Sequence, residues 1–303
     1  MGVQQESPSI ALSTPVDGVE VLGALSPSRA GDFLTCPLLY RFRTIDHLPE
    51  PPSPDAVRGT VVHKVLEDLF DLPAAHRTPD RARDMLLPAW EALVAAEPEL
   101  TDMFTAEPGS GPDIATWLTS CRTVLDRYFT LEDPRRLEPA ERELYVEALL
   151  DSRLLLRGFV DRIDVAPDGA LRVVDYKSGS SPSEMFEGKA LFQMKFYALV
   201  IWRSRGVIPA MLQLIYLGNG EVMRYVPDEA DLRATERKVE AIWAAIRRAQ
   251  ESGDWRPNPS RLCDWCAHHA LCPAQGGTLP PLPPRAEPGA TVVDVPLSAD
   301  DVD

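Results

Sequence analysis

Two kinds of hydrophobic pattern alternate along the chain and predict its elements. Short runs rich in Val, Ile and Leu, bounded by turn-forming residues, predict β-strands at 143–150, 157–165, 171–177, 211–217 and 221–226. Apolar residues three and four positions apart predict helices at 26–36, 38–42, 58–67, 78–96, 113–131, 189–203 and 229–251. The strands and the long helices together predict an α/β domain.

The segment from Arg157 to Gly179 is predicted to form a β-hairpin. Its loop, Pro167-Asp168-Gly169, places a glycine where the backbone needs a left-handed conformation. If Ala166 pairs with Ala170, the register fixes the cross-strand partners, and residues two apart share a face. The predicted pairs are Phe159–Lys177, Asp161–Asp175, Ile163–Val173, Val165–Leu171 and Asp164–Arg172, of which the first four lie on one face.

Length and composition indicate a soluble globular protein. The chain has 303 residues, 45% of them hydrophobic and 25% charged, which is enough for one substantial core. No apolar run reaches the roughly 18 residues that span a membrane, and no basic stretch followed by an apolar one opens the chain. We therefore expect a cytoplasmic protein with no membrane partner, a flexible leader at 1–23 and a disordered, acidic, Pro-rich tail at 274–303.

The net charge of −15 disfavours nucleic acid as a partner, because phosphate binding depends on Lys and Arg. Acids concentrated at both ends of the chain account for part of this charge. DNA binding would require basic residues to be concentrated close to the motifs, and the candidates are Arg41, Arg43, Arg58, Lys64, Arg157 and Arg261.

Asp161, Asp175 and Lys177 form the candidate catalytic group of the hairpin. Directly opposed side chains lie roughly 5 Å apart at Cβ, so two bare carboxylates there repel each other. A hard divalent cation between them removes the repulsion. Lys177 points to the same side, where its ammonium group can orient water or stabilise developing charge. The alternative is a pair of solvated acids with Lys177 as their salt-bridge partner.

Three of the five cysteines lie within ten residues in a C-x2-C-x5-C pattern, which suggests ligands and not disulfides. These residues are Cys263, Cys266 and Cys272. Zinc and an iron–sulfur cluster are the two physical options. Zinc would take a local fourth ligand, His268 or His269. A 4Fe–4S cluster would need a fourth thiolate, for which Cys36 is the candidate.

Five motifs resemble the RecB-type branch of the PD-(D/E)XK nucleases and occur in that family's order. They are SPSRAGDFLTCPLLYRFR from Ser26, G-x-x-x-H-x-x-x-E from Gly59, Gly158-x-x-Asp161 with Asp175-Tyr176-Lys177, Q-x-x-x-Y from Gln193, and the cysteine segment. The proline that names the family is missing before Asp161, but this branch does not require it. Cys36-Pro37 and Cys272-Pro273 resemble the iron–sulfur subgroup, which includes CRISPR-associated and AddB-like exonucleases.

The resemblance implies a role for each matching residue. The expected catalytic residues are His63, Asp161, Asp175 and Lys177. The expected ligands of Mg²⁺ or Mn²⁺ are His63, Asp161, Asp175 and the carbonyl of Tyr176. The expected DNA-binding residues are Arg58, Gln193 and Tyr197. The expected ligands of a structural 4Fe–4S cluster, with Zn²⁺ as the alternative, are Cys36, Cys263, Cys266 and Cys272.

The implied fold is a restriction-endonuclease-like mixed β-sheet flanked by helices at 24–272, with a helical insertion at 74–140. An iron–sulfur segment at 257–273 closes onto Cys36. The implied function is a metal-dependent DNA nuclease, an exonuclease on single-stranded or free-ended DNA in repair, recombination or defence. A helicase or a repair complex is the expected partner. The alternatives are a non-catalytic DNA- or helicase-binding module and a zinc-binding regulatory protein whose hairpin acids are incidental.

Overall fold

A mixed sheet of six strands is flanked by helices in the computed structural model, which describes residues 21–105, 113–181 and 187–283. The strands are β1 Gly23–Leu25, β2 Glu141–Leu149, β3 Leu154–Val165, β4 Leu171–Lys177, β5 Met211–Tyr216 and β6 Glu221–Tyr225. The α-helices are α1 Pro27–Thr35, α2 Pro37–Tyr40, α3 Pro54–Leu69, α4 Pro79–Ala96, α5 Asp102–Thr105, α6 Ile114–Leu131, α7 Glu187–Arg205 and α8 Glu229–Ser252. A π-helical turn, Arg41–Ile45, follows α2.

Strand β3 is the centre of the sheet, because three strands pair with it. Strand β2 runs antiparallel along one edge, from Leu155 to Ile163. On the other edge, β1 pairs in parallel with residues 154–156 and β4 pairs antiparallel with residues 162–165. In the described part of the chain, residues 157–161 have no strand partner on that edge, so a gap opens between β1 and β4. Strand β5 adds in parallel to β4, and β6 adds antiparallel to β5.

The two faces of the sheet pack against different helices. Helices α1, α2, α7 and α8 cover one face in a core that includes Leu156, Val160 and Leu214. We call this the α7 core. Helices α3, α4 and α6 cover the other face over β4 and β5 in a second core that includes Val174 and Ile215. We call this the α3 core. Both faces of β4 are therefore buried, and its side chains are held rigidly by packing.

The predicted helical insertion contains α4, α5 and α6 and belongs to the α3 core. Cys121 of α6 is fully buried there, as predicted. Glu132, just after α6, accepts two hydrogen bonds of 2.8 and 3.0 Å from Arg162 of β3, which has no exposed surface. A bidentate ion pair therefore joins the predicted insertion to the hairpin of β3 and β4.

The hairpin forms with the predicted register. The N–H of Ala166 donates to the carbonyl of Ala170 at 2.9 Å, and Gly169 has the left-handed φ of 85° that the loop requires. The pairs Ile163–Val173, Asp164–Arg172 and Val165–Leu171 are present. The predicted pairs Asp161–Asp175 and Phe159–Lys177 do not form, because the ladder between the two strands ends at Arg162–Val174.

The prediction that Phe159 and Ile163 share a face is wrong. Ile163 and Val160 both belong to the α7 core, so the regular alternation of side chains breaks between them. The ring of Phe159 instead packs against its cross-strand partner Tyr145, with ring centroids 5.4 Å apart. The break falls at Asp161, one of the two aspartates of the hairpin.

The structure contradicts the predicted bounds of both terminal segments within the residues that it describes. Gly23 lies in β1, so the leader predicted at 1–23 cannot include it, and residues 1–20 lie outside the described residues. In the predicted tail, Pro273–Gln275 form a 3₁₀ turn and the carbonyl of Pro280 accepts a 2.6 Å hydrogen bond from Arg41. The rest of that segment, 284–303, lies outside the described residues.

The predicted concentration of basic residues is largely neutralised by neighbouring acids. The ion pairs are Arg41 with Asp46, Arg43 with Asp32 and Glu50, Arg58 with Asp55, and Lys64 with Glu67 and Asp68. Arg157 is buried on β3. These residues therefore do not form a basic surface for DNA. In the described ranges, none of the helices has the length and apolar character needed to cross a membrane.

Candidate active site

Strands β3 and β4 separate at Asp161 and Asp175, and we call the opening between them the fork. The ladder ends with the pair Arg162–Val174, so the two aspartates lie just beyond it. There, Oδ2 of Asp161 accepts a 2.6 Å hydrogen bond from the backbone N–H of Tyr176. The carboxylate takes the place of a backbone acceptor and is thereby fixed at the edge of the fork.

His63 enters the fork from α3. Its Nδ1 lies 3.7 Å from Oδ2 of Asp161, and both side chains are buried. One ligand atom each from His63, Glu143 and Asp161 lie within 4.8 Å of one another. An imidazole and two carboxylates at this spacing fit a divalent cation with oxygen and nitrogen ligands. We call these three residues the ligand group.

Asp175 and Lys177 form an acid–ammonium pair beside the ligand group. Nζ of Lys177 lies 3.1 Å from Oδ2 of Asp175. Nε2 of Gln193 on α7 donates a 3.3 Å hydrogen bond to Oδ1 of the same carboxylate. Asp175 is not one of the three residues whose ligand atoms lie within 4.8 Å of one another. The fork thus brings the predicted acids, lysine, histidine and glutamine together, with Asp175 directed toward α7 and Lys177.

The side chain and the backbone of Tyr176 have different surroundings. Its hydroxyl contacts the guanidinium of Arg162 inside the α3 core, and its ring lies edge-on to the ring of His63, with centroids 6.1 Å apart. Its N–H points to Asp161, and the N–H and C=O of one strand residue leave on the same edge. The carbonyl of Tyr176, which is a predicted metal ligand, therefore also faces the fork.

Tyr197 on α7 lies against the gap in β3. A Cβ at Gly158 would lie only 2.8 Å from Cε1 of Tyr197, so glycine is needed for the ring to approach the strand. The ring is 2% exposed, and burial, followed by the charge of Asp175, raises the pKa of the hydroxyl above its usual range. Tyr197 therefore stays protonated and forms part of the wall of the fork.

The structure places Arg58 elsewhere. Its guanidinium lies 2.8 Å from Asp55 on the same helix. It also lies near Cys121 of α6, where burial raises the pKa of the thiol to about 11 and the charge of Arg58 opposes the rise. None of its described contacts reaches the carboxylates of the fork. The predicted DNA-binding role of Arg58 therefore has no support from its position.

The carboxylates of the fork are electrostatically strained without a cation. Burial raises the pKa of Asp161 to about 7, His63 opposes this rise, and the nearby charges of Asp175 and Glu143 add to it. Burial also raises the pKa of Glu143, with Glu67 and Asp175 contributing in the same direction. A bound cation would relieve this repulsion, which indicates that the fork is built for one.

Glu143 is the member of the ligand group that the sequence prediction missed. It was predicted only as the start of a strand. A turn connects β2 to the antiparallel strand β3, and in it the N–H of Leu150 donates to the carbonyl of Leu154. Counting back from that turn places Glu143 opposite Asp161, between the observed pairs Arg142–Arg162 and Leu144–Val160. The turn therefore held the signal that could have identified it.

The four predicted cluster ligands line one pocket. They are Cys36, Cys263, Cys266 and Cys272, and all are free thiols. Backbone N–H groups of Asn258 and Ser260 donate to the sulfurs of Cys36 and Cys263, each at 3.3 Å. His269 also lines the pocket, whereas His268 bonds Glu50 at 2.7 Å. The pocket brings together the two distant cysteine segments of the sequence.

The family model for the PD-(D/E)XK nuclease superfamily matches residues 24–273, nearly the whole described chain. The chain belongs to the PD-(D/E)XK nuclease superfamily. The fold predicted from the sequence, a mixed sheet flanked by helices, is confirmed. The nuclease fold implies a nucleic-acid substrate. Nucleases of this fold usually use Mg²⁺ or Mn²⁺, and the ligand group fits such a cation.

Several proteins resemble this PD-(D/E)XK chain along most of its length. The Gene 69 protein of Mycobacterium phage D29 is 29% identical over 269 residues, which cover 82% of this chain and 96% of that protein. The Gene 69 protein of Mycobacterium phage L5 is 24% identical over 294 residues, covering 85% and 98%. A crystal structure described as a candidate exonuclease from Eubacterium rectale superposes with a TM-score of 0.52 at 12% identity, covering 82% and 88%. The last likeness concerns the fold alone.

A further relative is much longer than this chain. It is an ATP-dependent helicase/deoxyribonuclease subunit of Streptococcus equi subsp. zooepidemicus (strain H70), and it is 29% identical over 194 residues. The match covers 62% of this chain and 17% of that relative. The PD-(D/E)XK chain is thus similar to a small part of a helicase–nuclease protein.

Proposed function

We propose that this protein is a metal-dependent deoxyribonuclease that acts on single-stranded or free-ended DNA. The observation that carries the proposal is the fork, where the ligand group of His63, Glu143 and Asp161 adjoins the Asp175–Lys177 pair. A family fold with an inactive site would be expected to have lost one or more of these groups. A non-catalytic binding module is therefore less consistent with the fork.

Each residue of the fork has a proposed task in phosphodiester hydrolysis. The imidazole of His63, the carboxylates of Asp161 and Asp175 and the carbonyl of Tyr176 would hold Mg²⁺ or Mn²⁺. The cation, when bound, supplies Lewis acidity and an acidified water. The ammonium of Lys177 is 21% exposed, so it can orient the attacking water and stabilise charge on the phosphate oxygens. Gln193, which donates a hydrogen bond to Asp175, would position the DNA strand. Tyr197 is too buried to contact the DNA directly.

The substrate class and the pathway rest on relatives. The relative from Streptococcus equi carries helicase and deoxyribonuclease in its name, and the structural neighbour is described as an exonuclease. We propose DNA with free ends as the substrate, a helicase or a repair complex as the partner, and repair, recombination or defence as the process.

We propose further that Cys36, Cys263, Cys266 and Cys272 hold a structural 4Fe–4S cluster, as in the iron–sulfur subgroup of the RecB-type branch. Four free thiols line one pocket, which matches the four-thiolate ligand set of such a cluster. The N–H groups of Asn258 and Ser260 would stabilise the charge on its thiolates.

The nuclease proposal predicts cleavage that requires both a divalent cation and Asp161. Purified protein should degrade end-labelled single-stranded DNA in Mn²⁺ or Mg²⁺, leave circular single strands intact, and become inactive in EDTA. Asp161→Asn should abolish cleavage because the neutral amide loses the charge that binds the cation. Cleavage that persists in EDTA or in Asp161→Asn would contradict the proposal. Saturable DNA binding without any cleavage would instead favour the non-catalytic module.

A second prediction concerns pH. The pKa of Asp161 is 3.8 in the unfolded chain and, mainly through burial, about 7 in the folded protein. Its contribution to the stability of the metal-free protein is therefore complete below pH 4 and is lost as the pH rises to 7. Bound Mn²⁺ replaces the proton, so Mn²⁺ should raise the melting temperature more at pH 8 than at pH 6. Equal Mn²⁺-induced shifts at both pH values, in thermal melts referenced to EDTA, would contradict this.

A further inference from the structure

Glu143 occupies an unusual backbone conformation for its position in the chain. It lies within β2 but has a φ of +42°, in the left-handed region that non-glycine residues rarely adopt. No residue is inserted there, because the β2–β3 register is the same on both sides of Glu143. Such a conformation costs free energy and persists only where the surrounding structure enforces it, often at functional sites.

The neighbours of Glu143 enforce this conformation. Leu144 on one side packs against the α7 core and pairs with Val160. Arg142 on the other side reaches toward α3, where its guanidinium contacts the carbonyl of Glu67 and lies 2.6 Å from Asp71. Two residues that would share a face in a regular strand therefore point to opposite helical layers.

Strand β3 shows the same reversal at the residue opposite Glu143. Val160 packs in the α7 core, whereas Arg162 bonds Glu132 and lies over the ring of Phe70 on the α3 side. Asp161 lies between them. Both strands therefore change face at the same cross-strand position. The distortion turns Glu143 and Asp161, which face each other across β2 and β3, toward His63.

We propose that Glu143 is a protein ligand of the divalent cation in the fork, in addition to the residues that the family motifs identify. The inference rests on the proposed function, because it concerns the cation of the same site. In the described part of the chain, the Glu143 carboxylate makes no hydrogen bond. It lies instead within 4.8 Å of ligand atoms of His63 and Asp161, two residues that the motifs already assign to the cation.

The role of the strained backbone follows from this assignment. A glutamate in regular β conformation at this position would direct its carboxylate along the normal to the sheet. The left-handed backbone redirects it toward His63 and Asp161. The strain therefore serves cation binding, and removing it should stabilise the metal-free protein while weakening its affinity for the cation.

The test measures Mn²⁺ binding directly, with no need for DNA cleavage. Isothermal titration of the full chain with Mn²⁺ should show at least about 10-fold weaker binding in Glu143→Gln than in the wild type, because a ligand has lost its charge. Glu147→Gln is the matched control, since Glu147 lies on the same strand and bonds the hydroxyl of Tyr145. Its Mn²⁺ affinity should remain within about twofold of the wild type. Equal affinities in Glu143→Gln and the wild type would overturn the inference.

A second variant separates a ligand from a residue that only supports the strand. Glycine tolerates φ of +42° without strain, so Glu143→Gly in EDTA should melt at the same temperature as the wild type or higher. Its Mn²⁺-induced rise in melting temperature should be lost. A lower melting temperature in EDTA with an unchanged Mn²⁺ shift would overturn the inference. If the wild type cleaves no DNA but its Mn²⁺ binding depends on Glu143, the proposed nuclease function fails and the ligand assignment stands.

Discussion

Replacing Lys177 with methionine is expected to lower the rate of DNA cleavage by about 10²–10³-fold. The ammonium group lies 3.1 Å from Oδ2 of Asp175 and remains partly exposed at the mouth of the fork. It can therefore reach a phosphate of DNA bound at the fork, while the buried carboxylate of Asp175 orients it. Methionine preserves the length and apolar character of the stem but removes the charge that would stabilise the transition state.

Two measurements distinguish this chemical role from a structural one. The rate should be measured in single turnover on end-labelled single-stranded DNA, and Mn²⁺ affinity should be measured by titration. Lys177→Met should lose rate without binding Mn²⁺ more weakly, since the lysine is not a ligand. Lys238→Met is the control, because Lys238 lies on α8 over the ring of Phe192, 4.5 Å from its centroid. A Lys177→Met protein that cleaves within twofold of the wild type would remove the lysine from the mechanism.

Loss of the proposed 4Fe–4S cluster is expected to produce the largest change in stability. Cys36 and the other three ligands are separated by more than 220 residues, and nearly the whole nuclease domain lies between them. In the chain-entropy model, a cross-link that closes a loop of this length stabilises the folded state by about 5 kcal/mol. Anaerobically purified Cys272→Ser should therefore lose its iron and unfold at a markedly lower denaturant concentration.

The remaining cysteine provides the control for this experiment. Cys121 is fully buried in the α3 core, apart from the cysteine pocket. Cys121→Ala should keep the iron content and the thiolate-to-iron absorbance of the wild type while losing only the packing energy of one small side chain. A colourless wild-type protein with stoichiometric zinc would exclude the cluster. Equal denaturant midpoints for Cys272→Ser and the wild type would exclude its structural role.

The parts of the site that local spacing determines could be predicted from the sequence. The loop at Pro167–Gly169 fixes the register of the hairpin, so counting from it places Asp161 and Asp175 at opposed positions, although it did not predict that the ladder ends one residue before them. The role expected for His63 came from the family resemblance, because helical spacing alone places this residue on a flank of α3 beside the apolar stripe. The identity of Cys36 as the fourth thiol of the pocket came from the family resemblance, because no local pattern links it to Cys263.

The parts that depend on distortion or tertiary packing could not be predicted in the same way. An alternation rule assumes a regular strand, so it assigned Asp161 to the face of Ile163 and overlooked Glu143, whose φ is +42°. The basic residues near the motifs were counted as available for DNA. The pair of Lys64 with Asp68 could have been read from their i,i+4 spacing on α3, whereas the pair of Arg43 with Asp32 joins separate elements and required the folded chain.

The bidentate pair between Arg162 and Glu132 also affects how the protein folds and unfolds. Arg162 is a β3 residue next to Asp161, whereas Glu132 directly follows the last helix of the insertion. Arg162 is fully buried and has two carboxylate partners, Glu132 and Asp164, so losing Glu132 would remove part of the counter-charge of a buried guanidinium, which is costly. The segment at 74–140 and the hairpin should therefore fold and unfold in one cooperative step. Shortening that segment should then abolish the proposed nuclease activity as well as reduce the size of the domain.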